Sequence, residues 1–408
     1  MDIKITPRLL SGRVTAPPSK SVAHRLLICA ALAKGESVIK RISSSKDMQA
    51  TIGCLRALGA QIELKGDTAF IKGIEEPASE CVLDCCESGS TLRFLIPLAC
   101  ALGARATFTG RGRLPQRPIT PLLETLPKNG AVFEYENTMP FTVSGQLTPG
   151  RYEIRGDVSS QFITGLLLCL PLLEGDSEIV LTTALESRPY IDITIGAMKQ
   201  FGVEVDRRED TFIIKGGQEY QPRELTVEGD HSQAAFFEAA AALGADVEVL
   251  GVNVNSYQGD KKIVEIIKEI VYNNKKGLSP FDEDVSDIPD LVPILCVLGS
   301  FCEGVSYIRN AARLRIKECD RLHAMAVSLN SCGGRVTEYE DGLRIEGVGT
   351  LCGGEVPDFN DHRIPMAMSI AAMRSSAPII IRGAQAVAKS YPDYWEVYKS
   401  LGGMIEEI

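Results

Sequence analysis

Hydrophobic residues along this chain gather in stretches that are apolar on nearly every side, each opened by small polar or acidic residues. They run over Pro17 to Gly35, Ser88 to Gly103, Ser159 to Gly175, Asp230 to Gly244, Asp287 to Gly299 and Asn360 to Met373. A helix with no wet face has to be surrounded by protein, so each stretch predicts a buried helix with Ser, Asp or Asn in the N-cap position. Their starts lie roughly 55 to 75 residues apart, the spacing of a repeated unit.

A short strand precedes each helix, as in Arg151 to Arg155 or Glu224 to Glu228. A second β-rich run follows, as in Ser177 to Thr182 or Ala377 to Arg382. Next come helices with one polar face, near Asp47 to Leu58, Ile119 to Leu126, Ile191 to Phe201, Lys261 to Val271, Asp320 to Ser331 and Tyr391 to Leu401. Pro127 cuts the second of these short. Several end at glycine and run into a two-stranded segment, clearest in Gln61 to Lys72, Val203 to Lys215 and Arg335 to Glu346. The unit is therefore β-α-β-α-β-β. The fourth is the shortest, its terminal hairpin reduced to the Asn273 to Asp284 region.

The last unit ends at Ile408 with one strand, whereas an extra strand pair, Ile3 to Val14, precedes the first. If those strands complete the last unit, both termini share a domain. The expected division is residues 1–17 plus 228–408 as one domain and 18–227 as the other, three units in each. The fold class is α/β.

Composition narrows the function. The net charge of −10 argues against a nucleic-acid surface, which is ordinarily basic. The twelve cysteines lie scattered, several in the apolar helices, without a C-x-x-C pair, and read as small buried hydrophobes of a reducing cytoplasm. The N-terminus has no signal-peptide pattern and no apolar run is long enough to span a bilayer, so a cytoplasmic protein with no membrane contact is expected. There is no Gly-Lys dipeptide for a phosphate-binding Walker loop and no G-x-G-x-x-G after a strand. The four histidines, His24, His231, His323 and His362, lack metal-ligand spacing, so no metal is expected. His24 and His323 read as packing residues, and His362 as a pocket residue.

Against this acidic background, cations collect in two loop families. The starts of the buried helices carry Lys20, Arg25, Arg93 and Arg363; the entries to the second helices carry Arg111, Arg113, Arg117, Arg188, Lys317, Arg321 and Lys389. Any one of them could be a solvated residue or a salt-bridge partner. Their recurrence at equivalent points of related units points instead to a site for ligands bearing several negative charges. Arg93 is the hardest to dismiss, because an unpaired charge inside an apolar helix is costly. Two carboxylates stand among them: Asp290 at the mouth of a buried helix and Glu318 after Lys317. They read either as a cap and a surface acid or as a general base and acid pair.

The segments PPSKSVAHR, SGSTLR, QRPI, GDVSSQF, SRPYIDIT, DIPDLVP, RIKECDRL, NDHR and AKSYPDY occur in the order and approximate spacing of the EPSP synthase family, which the chain resembles over nearly its whole length. The resemblance implies two domains that close over the substrates, with the active site in the cleft between them. It implies transfer of the enolpyruvyl group of phosphoenolpyruvate to the 5-hydroxyl of shikimate 3-phosphate, with no cofactor, no metal and no partner beyond those small molecules, in a monomer. By motif, Lys20, Ser21, Arg25, Ser159, Ser160, Gln161, Ser187, Tyr190, Asp290 and Lys317 would contact shikimate 3-phosphate. Lys20, Gly89, Arg117, Gln161, Arg321, Arg363 and Lys389 would bind phosphoenolpyruvate. Asp290 would deprotonate the hydroxyl and Glu318 would handle the methylene proton, assisted by Lys20 and Lys317.

Glu87, Ser90 and Arg313 depart from the residues many relatives carry at those places. The related transferases acting on UDP-N-acetylglucosamine carry a cysteine in the loop before the arginine that is Arg117 here and an asparagine after the first lysine. Here Gly110 to Gln116 contains no cysteine and Ser21 follows Lys20. A non-catalytic anion-binding module on the same fold is the remaining alternative.

Overall fold

The computed structural model describes residues 1–272 and 277–408. Among the described residues twelve α-helices alternate between buried and outer positions: α1 (Lys20–Leu32), α2 (Lys46–Ala57), α3 (Gly89–Ala101), α4 (Thr120–Thr125), α5 (Ser160–Cys169), α6 (Arg188–Gln200), α7 (His231–Ala242), α8 (Ile263–Tyr272), α9 (Val292–Phe301), α10 (Arg321–Ser331), α11 (Arg363–Ala372) and α12 (Tyr394–Ser400). The odd-numbered helices are the apolar stretches. All ten residues of α9 and all ten of α11 are buried, as are Val22 through Leu32 of α1.

The chain forms two compact units, Met1–Pro17 with Gly229–Ile408, and Pro18–Glu228. Glu228, expected in the first, goes with the second, where its carbonyl accepts from the Ser19 N–H at 2.8 Å. The Pro18–Glu228 unit packs α1, α3 and α5 into one apolar core, and the other unit does the same with α7, α9 and α11.

Each complete unit of the repeat ends in one four-stranded sheet. In the second, Glu80–Asp84 pairs parallel with Arg105–Thr109 across the α3 crossover. Arg105–Thr109 then pairs antiparallel with Phe141–Gly145, which pairs with Ala131–Glu134. A parallel pair needs a long crossover, and here the buried helix supplies it. Among the described residues five sheets have four strands and one has two.

Strand ownership differs from the expectation in two places. Glu224–Thr226 does not serve α7 but pairs parallel with Glu36–Lys40, completing the sheet around α1. Ser11–Thr15 pairs parallel with Asp246–Leu250 and serves α7. Because the chain changes unit between strand and helix at both crossings, the first and fourth repeats exchange leading strands. The N-terminal strands are thus no hairpin, and only Ile3–Thr6 completes the last repeat, lying antiparallel between Ile379–Ile381 and Met404–Glu407. Of the remnant hairpin expected over Asn273 to Asp284, residues 273–276 lie outside the described residues, and Asp282–Asp284 is the first strand of the fifth repeat.

Four buried helices have the expected caps: the side chains of Ser19, Ser88, Ser159 and Asp230 accept from backbone N–H groups of the first turn. α9 is preceded instead by a 3₁₀ turn, Pro289–Leu291, and Asp287 is not its cap. α11 begins after His362, with the Asp361 carboxylate rather than Asn360 accepting from the Arg363 N–H at 2.9 Å.

Candidate active site

In the Pro18–Glu228 unit, the starts of α1, α3 and α5 gather the polar residues that sequence singled out. Lys20, first residue of α1, pairs with Asp47 of α2 at 2.9 Å, both largely buried. One α1 turn further, Arg25 is buried and makes four hydrogen bonds: to Thr194 Oγ1 (2.7 Å), Thr164 Oγ1 (3.3 Å), and the carbonyls of Ser21 (2.7 Å) and Tyr190 (3.0 Å). A guanidinium has five N–H donors, so Arg25 mainly ties α1 to α5 and α6. Ser187 adopts a left-handed backbone conformation (φ 57°) just before α6 and is buried.

α3 and α5 approach closely because Gly165 has no side chain: a Cβ there would lie 2.6 Å from the Arg93 carbonyl. That contact places the buried Arg93 beside α5, where it donates to Gln161 Oε1 (2.8 Å) and the Pro118 carbonyl (3.0 Å) and lies over the Phe162 ring. Gln161 in turn donates to Ser90 Oγ at 2.9 Å. Arg93 therefore orients Gln161 and the loop that carries Arg117. The buried Arg117 lies across the start of α3, and a Cβ at Gly89 would fall 2.5 to 2.8 Å from its guanidinium atoms. The glycine that sequence reasoning assigned to ligand approach also makes room for a neighbour within the chain. Ser159 caps α5 and Ser160 follows it, buried.

Not every expected cation joins this group. Arg111 is exposed, bonded to Asp84 (3.3 Å) and Cys86 Sγ (3.0 Å), and Arg188 is also exposed. His24 is buried and bonded to Thr51 Oγ1 at 2.8 Å; burial, then the charges of Lys20 and Arg25, keep it neutral by lowering its pKa well below the usual imidazole value.

In the other unit a denser cluster forms where α10 and α11 begin. The Arg321 guanidinium, 2 % exposed, holds three carboxylates: Asp290 Oδ1 (2.9 Å), Glu318 Oε2 (2.8 Å) and Asp361 Oδ2 (2.8 Å). Arg363 donates to the other Asp290 oxygen (2.8 Å), to the Asp290 carbonyl (3.2 Å) and to Ser232 Oγ (2.9 Å). Lys389, buried, donates to the Asn360 carbonyl at 2.6 Å. Arg313 is buried and donates to the Ser286 carbonyl.

These charges set one another's protonation. Burial favours the neutral acid at Asp290, but Arg363, Lys317 and Arg321 outweigh it and hold the carboxyl well below the ordinary range. Burial also lowers the Lys317 ammonium to about 8, against the pull of Asp290. Asp361, fully buried, is raised by burial and lowered more by Arg321 and His362.

Sequence reasoning missed Asp361, which links Arg321 to the start of α11; its only signal was an acid beside Arg363, which reads equally as a cap. His362 is buried with Nδ1 3.6 Å from Asp361 Oδ1. His323, expected to pack, lies on the surface beside Glu338.

The family model described as EPSP synthase (3-phosphoshikimate 1-carboxyvinyltransferase) matches residues 5–398. The chain belongs to the EPSP synthase family. A family member from Clostridium novyi (strain NT), named 3-phosphoshikimate 1-carboxyvinyltransferase, is 45% identical over 429 residues, covering 100% of this chain and 98% of that one. The solved EPSP synthase from Acinetobacter baumannii superposes with a TM-score of 0.83 at 28% identity, with 100% of both chains covered. The enolpyruvyl transferase NikO from Streptomyces tendae shares the fold, with a TM-score of 0.76 at 19% identity over 99% of this chain and 98% of that one. The fold expected from sequence, repeated β-α-β-α-β-β units in an enolpyruvyl transferase-like α/β protein, is thus shared with this EPSP synthase and with NikO.

Proposed function

We propose that this protein joins the enolpyruvyl group of phosphoenolpyruvate to the 5-hydroxyl of shikimate 3-phosphate and releases inorganic phosphate. The observation that carries the reading is Asp290 bridged by Arg321 and Arg363, with Glu318 on the same arginine. Carboxylates weaken a site that only binds anions, and they are needed in one that must move protons.

In the addition step the 5-hydroxyl oxygen bonds to C2 of phosphoenolpyruvate, its proton passes to Asp290, and a proton from Glu318 adds to the methylene carbon. In the elimination step that carbon returns a proton to Glu318, the C2–O bond to phosphate breaks, and the proton held by Asp290 leaves on the phosphate. Lys20, Gly89, Arg117, Gln161, Arg321, Arg363 and Lys389 hold phosphoenolpyruvate. Ser21, Arg25, Ser159, Ser160, Gln161, Ser187 and Lys317 hold shikimate 3-phosphate. An aspartate clamped by two arginines is a poor base. As substrate phosphate and carboxylate draw Arg321 and Arg363 away, the proton affinity of Asp290 rises, so binding itself activates it.

A single chain carries every residue assigned to either substrate, so the proposal requires only a monomer. Among the described residues no helix is long and apolar enough to cross a membrane. The cysteines are free thiols, which suits a reducing cytoplasm. The test is phosphate release from the two substrates, with a chelator present and each substrate omitted in turn. Release that needs both substrates and ignores the chelator supports the reading. Silence with shikimate 3-phosphate, whether or not UDP-N-acetylglucosamine replaces it as acceptor, overturns it.

The Gly89–Arg117 contact makes Gly89→Ala a sharp probe. The added methyl displaces the guanidinium, and KM for phosphoenolpyruvate is expected to rise about ten-fold, with KM for shikimate 3-phosphate unchanged. Steady-state kinetics with each substrate varied check it, and equal KM values for phosphoenolpyruvate in the two proteins would refute it.

Lys317 predicts the alkaline limb. With its pKa lowered to about 8, the ammonium that contacts shikimate 3-phosphate is lost as pH rises through that value, and kcat/KM for that substrate falls with it. Lys317→Arg keeps its charge and is expected to move the limb out of the accessible range, even if its absolute rate is lower. A limb at the same pH in both proteins would assign it to another group.

A further inference from the structure

Of the six buried-helix starts, the one at α7, Asp230-His-Ser-Gln, has no part in the scheme above. Its side chains nevertheless run directly to Arg363, one of the cations proposed to hold phosphoenolpyruvate, and to the residue that follows another, Lys389. The Ser232 hydroxyl donates its single proton to Asp230 Oδ1 at 2.7 Å. With that proton committed, the oxygen can only accept from other groups, and Arg363 Nη2 donates to it at 2.9 Å. Asp230 is itself fixed as the α7 cap, its Oδ1 accepting from the Gln233 N–H at 3.1 Å.

One residue further, Gln233 Nε2 donates to Ser390 Oγ at 3.1 Å. Ser390 follows Lys389, whose ammonium is bonded to the Asn360 carbonyl at the mouth of α11. Asp230, Ser232, Gln233, Arg363, Lys389 and Ser390 are all buried, between 2% and 6% exposed, so solvent cannot substitute for a lost partner.

From this geometry we infer that the first turn of α7 is the positioning element for the phosphoenolpyruvate cations, with Ser232 aiming Arg363 and Gln233 fixing the segment that carries Lys389. A guanidinium released by its substrate-free partner Asp290 still has the Ser232 oxygen to hold its direction. Asp230 strengthens that bond by drawing the hydroxyl proton to its far side. The fourth repeat, which contributes no ligand-contacting side chain, thereby acts on the site through orientation. This inference rests on the function proposed above.

The test compares Ser232→Ala, Ser232→Thr and Gln233→Leu with the native protein. Loss of a hydrogen bond to a buried charge is expected to raise KM for phosphoenolpyruvate about ten-fold in Ser232→Ala. KM for shikimate 3-phosphate should stay within about two-fold, as for a change confined to one substrate's binding. Ser232→Thr, which keeps the hydroxyl, restores the native value, and Gln233→Leu gives the same one-sided rise through Lys389. An unchanged KM for phosphoenolpyruvate in Ser232→Ala overturns the inference. So does a rise in both KM values accompanied by a lower melting temperature, the mark of a merely structural residue. If the native protein does not turn over, the proposed function fails separately, and crystal structures of native and Ser232→Ala protein decide the positioning role. With inorganic phosphate soaked into both crystals to draw the guanidinium from Asp290, an Arg363 that loses its native direction in Ser232→Ala supports it, and one that keeps that direction refutes it.

Discussion

Asp290→Asn is expected to lower kcat about 10³-fold, within the range for loss of a positioned general base, while leaving phosphoenolpyruvate binding intact. Each Asp290 oxygen accepts from a different arginine, Arg321 at 2.9 Å and Arg363 at 2.8 Å. An asparagine amide keeps one acceptor and turns its NH₂ toward the other guanidinium, which removes the internal competitor for at least one of these cations. Substrate anions then meet arginines that are easier to recruit, so affinity should hold or improve as chemistry fails. Phosphate release under single-turnover conditions gives the rate, and titration calorimetry on the slow variant gives the affinity. A kcat within ten-fold of native would remove Asp290 as the base. Lost affinity together with lost rate would make it a scaffold for the arginines alone.

Arg321→Met is expected to be the most destabilising single change in the cluster. Arg321 and Asp361 are both essentially solvent-free and bonded at 2.8 Å, and removing one member of such a pair costs about 3–5 kcal/mol. For a unit of this size that corresponds to a fall in melting temperature on the order of 10 °C. The pH dependence separates this from a packing defect. In the native protein Arg321 helps hold Asp361 below its ordinary pKa, so this contribution is present at neutral pH and is lost as pH falls through the folded-state value. In the variant, burial without the arginine raises the Asp361 pKa above its unfolded value. The charged acid then destabilises at neutral pH, and protonation relieves it. The gap between the two proteins should therefore narrow as pH falls through the carboxylate range. Melting curves of both proteins from neutral to acid pH check this, and a gap constant with pH would mean that lost packing, not buried charge, is responsible.

The buried helices were legible because two local signals coincide in them, a polar cap and a run with no wet face. Sheet membership was not legible. Glu224–Thr226 and Ser11–Thr15 are ordinary strands in isolation, and their partners, Glu36–Lys40 and Asp246–Leu250, are fixed by where the chain crosses between units. The start of α9 escaped because a 3₁₀ turn, Pro289–Leu291, takes the place of the expected Asp287 cap.

At the site, the motifs singled out Arg25, Gly89 and Arg321, but residue type alone could not say what each touches. Arg25 directs four hydrogen bonds inward. Gly89 makes room for an arginine twenty-eight positions away in sequence. Asp361 stayed hidden because its principal partner, Arg321, is forty residues distant. Apart from the Arg25 bond to the Ser21 carbonyl, one turn back in α1, each is a tertiary contact between residues that carry no shared local pattern.

The placement of Ile3–Thr6 between Ile379–Ile381 and Met404–Glu407 bears on the order in which a newly made chain can fold. Everything the Pro18–Glu228 unit needs has left the ribosome once Glu228 has. Ile3 and Ile5, buried completely in the other unit, have no neighbouring strand until residues 379–381 and 404–407 are synthesised. A segment made long before its partners thus spends most of their translation as an apolar strand awaiting two edges.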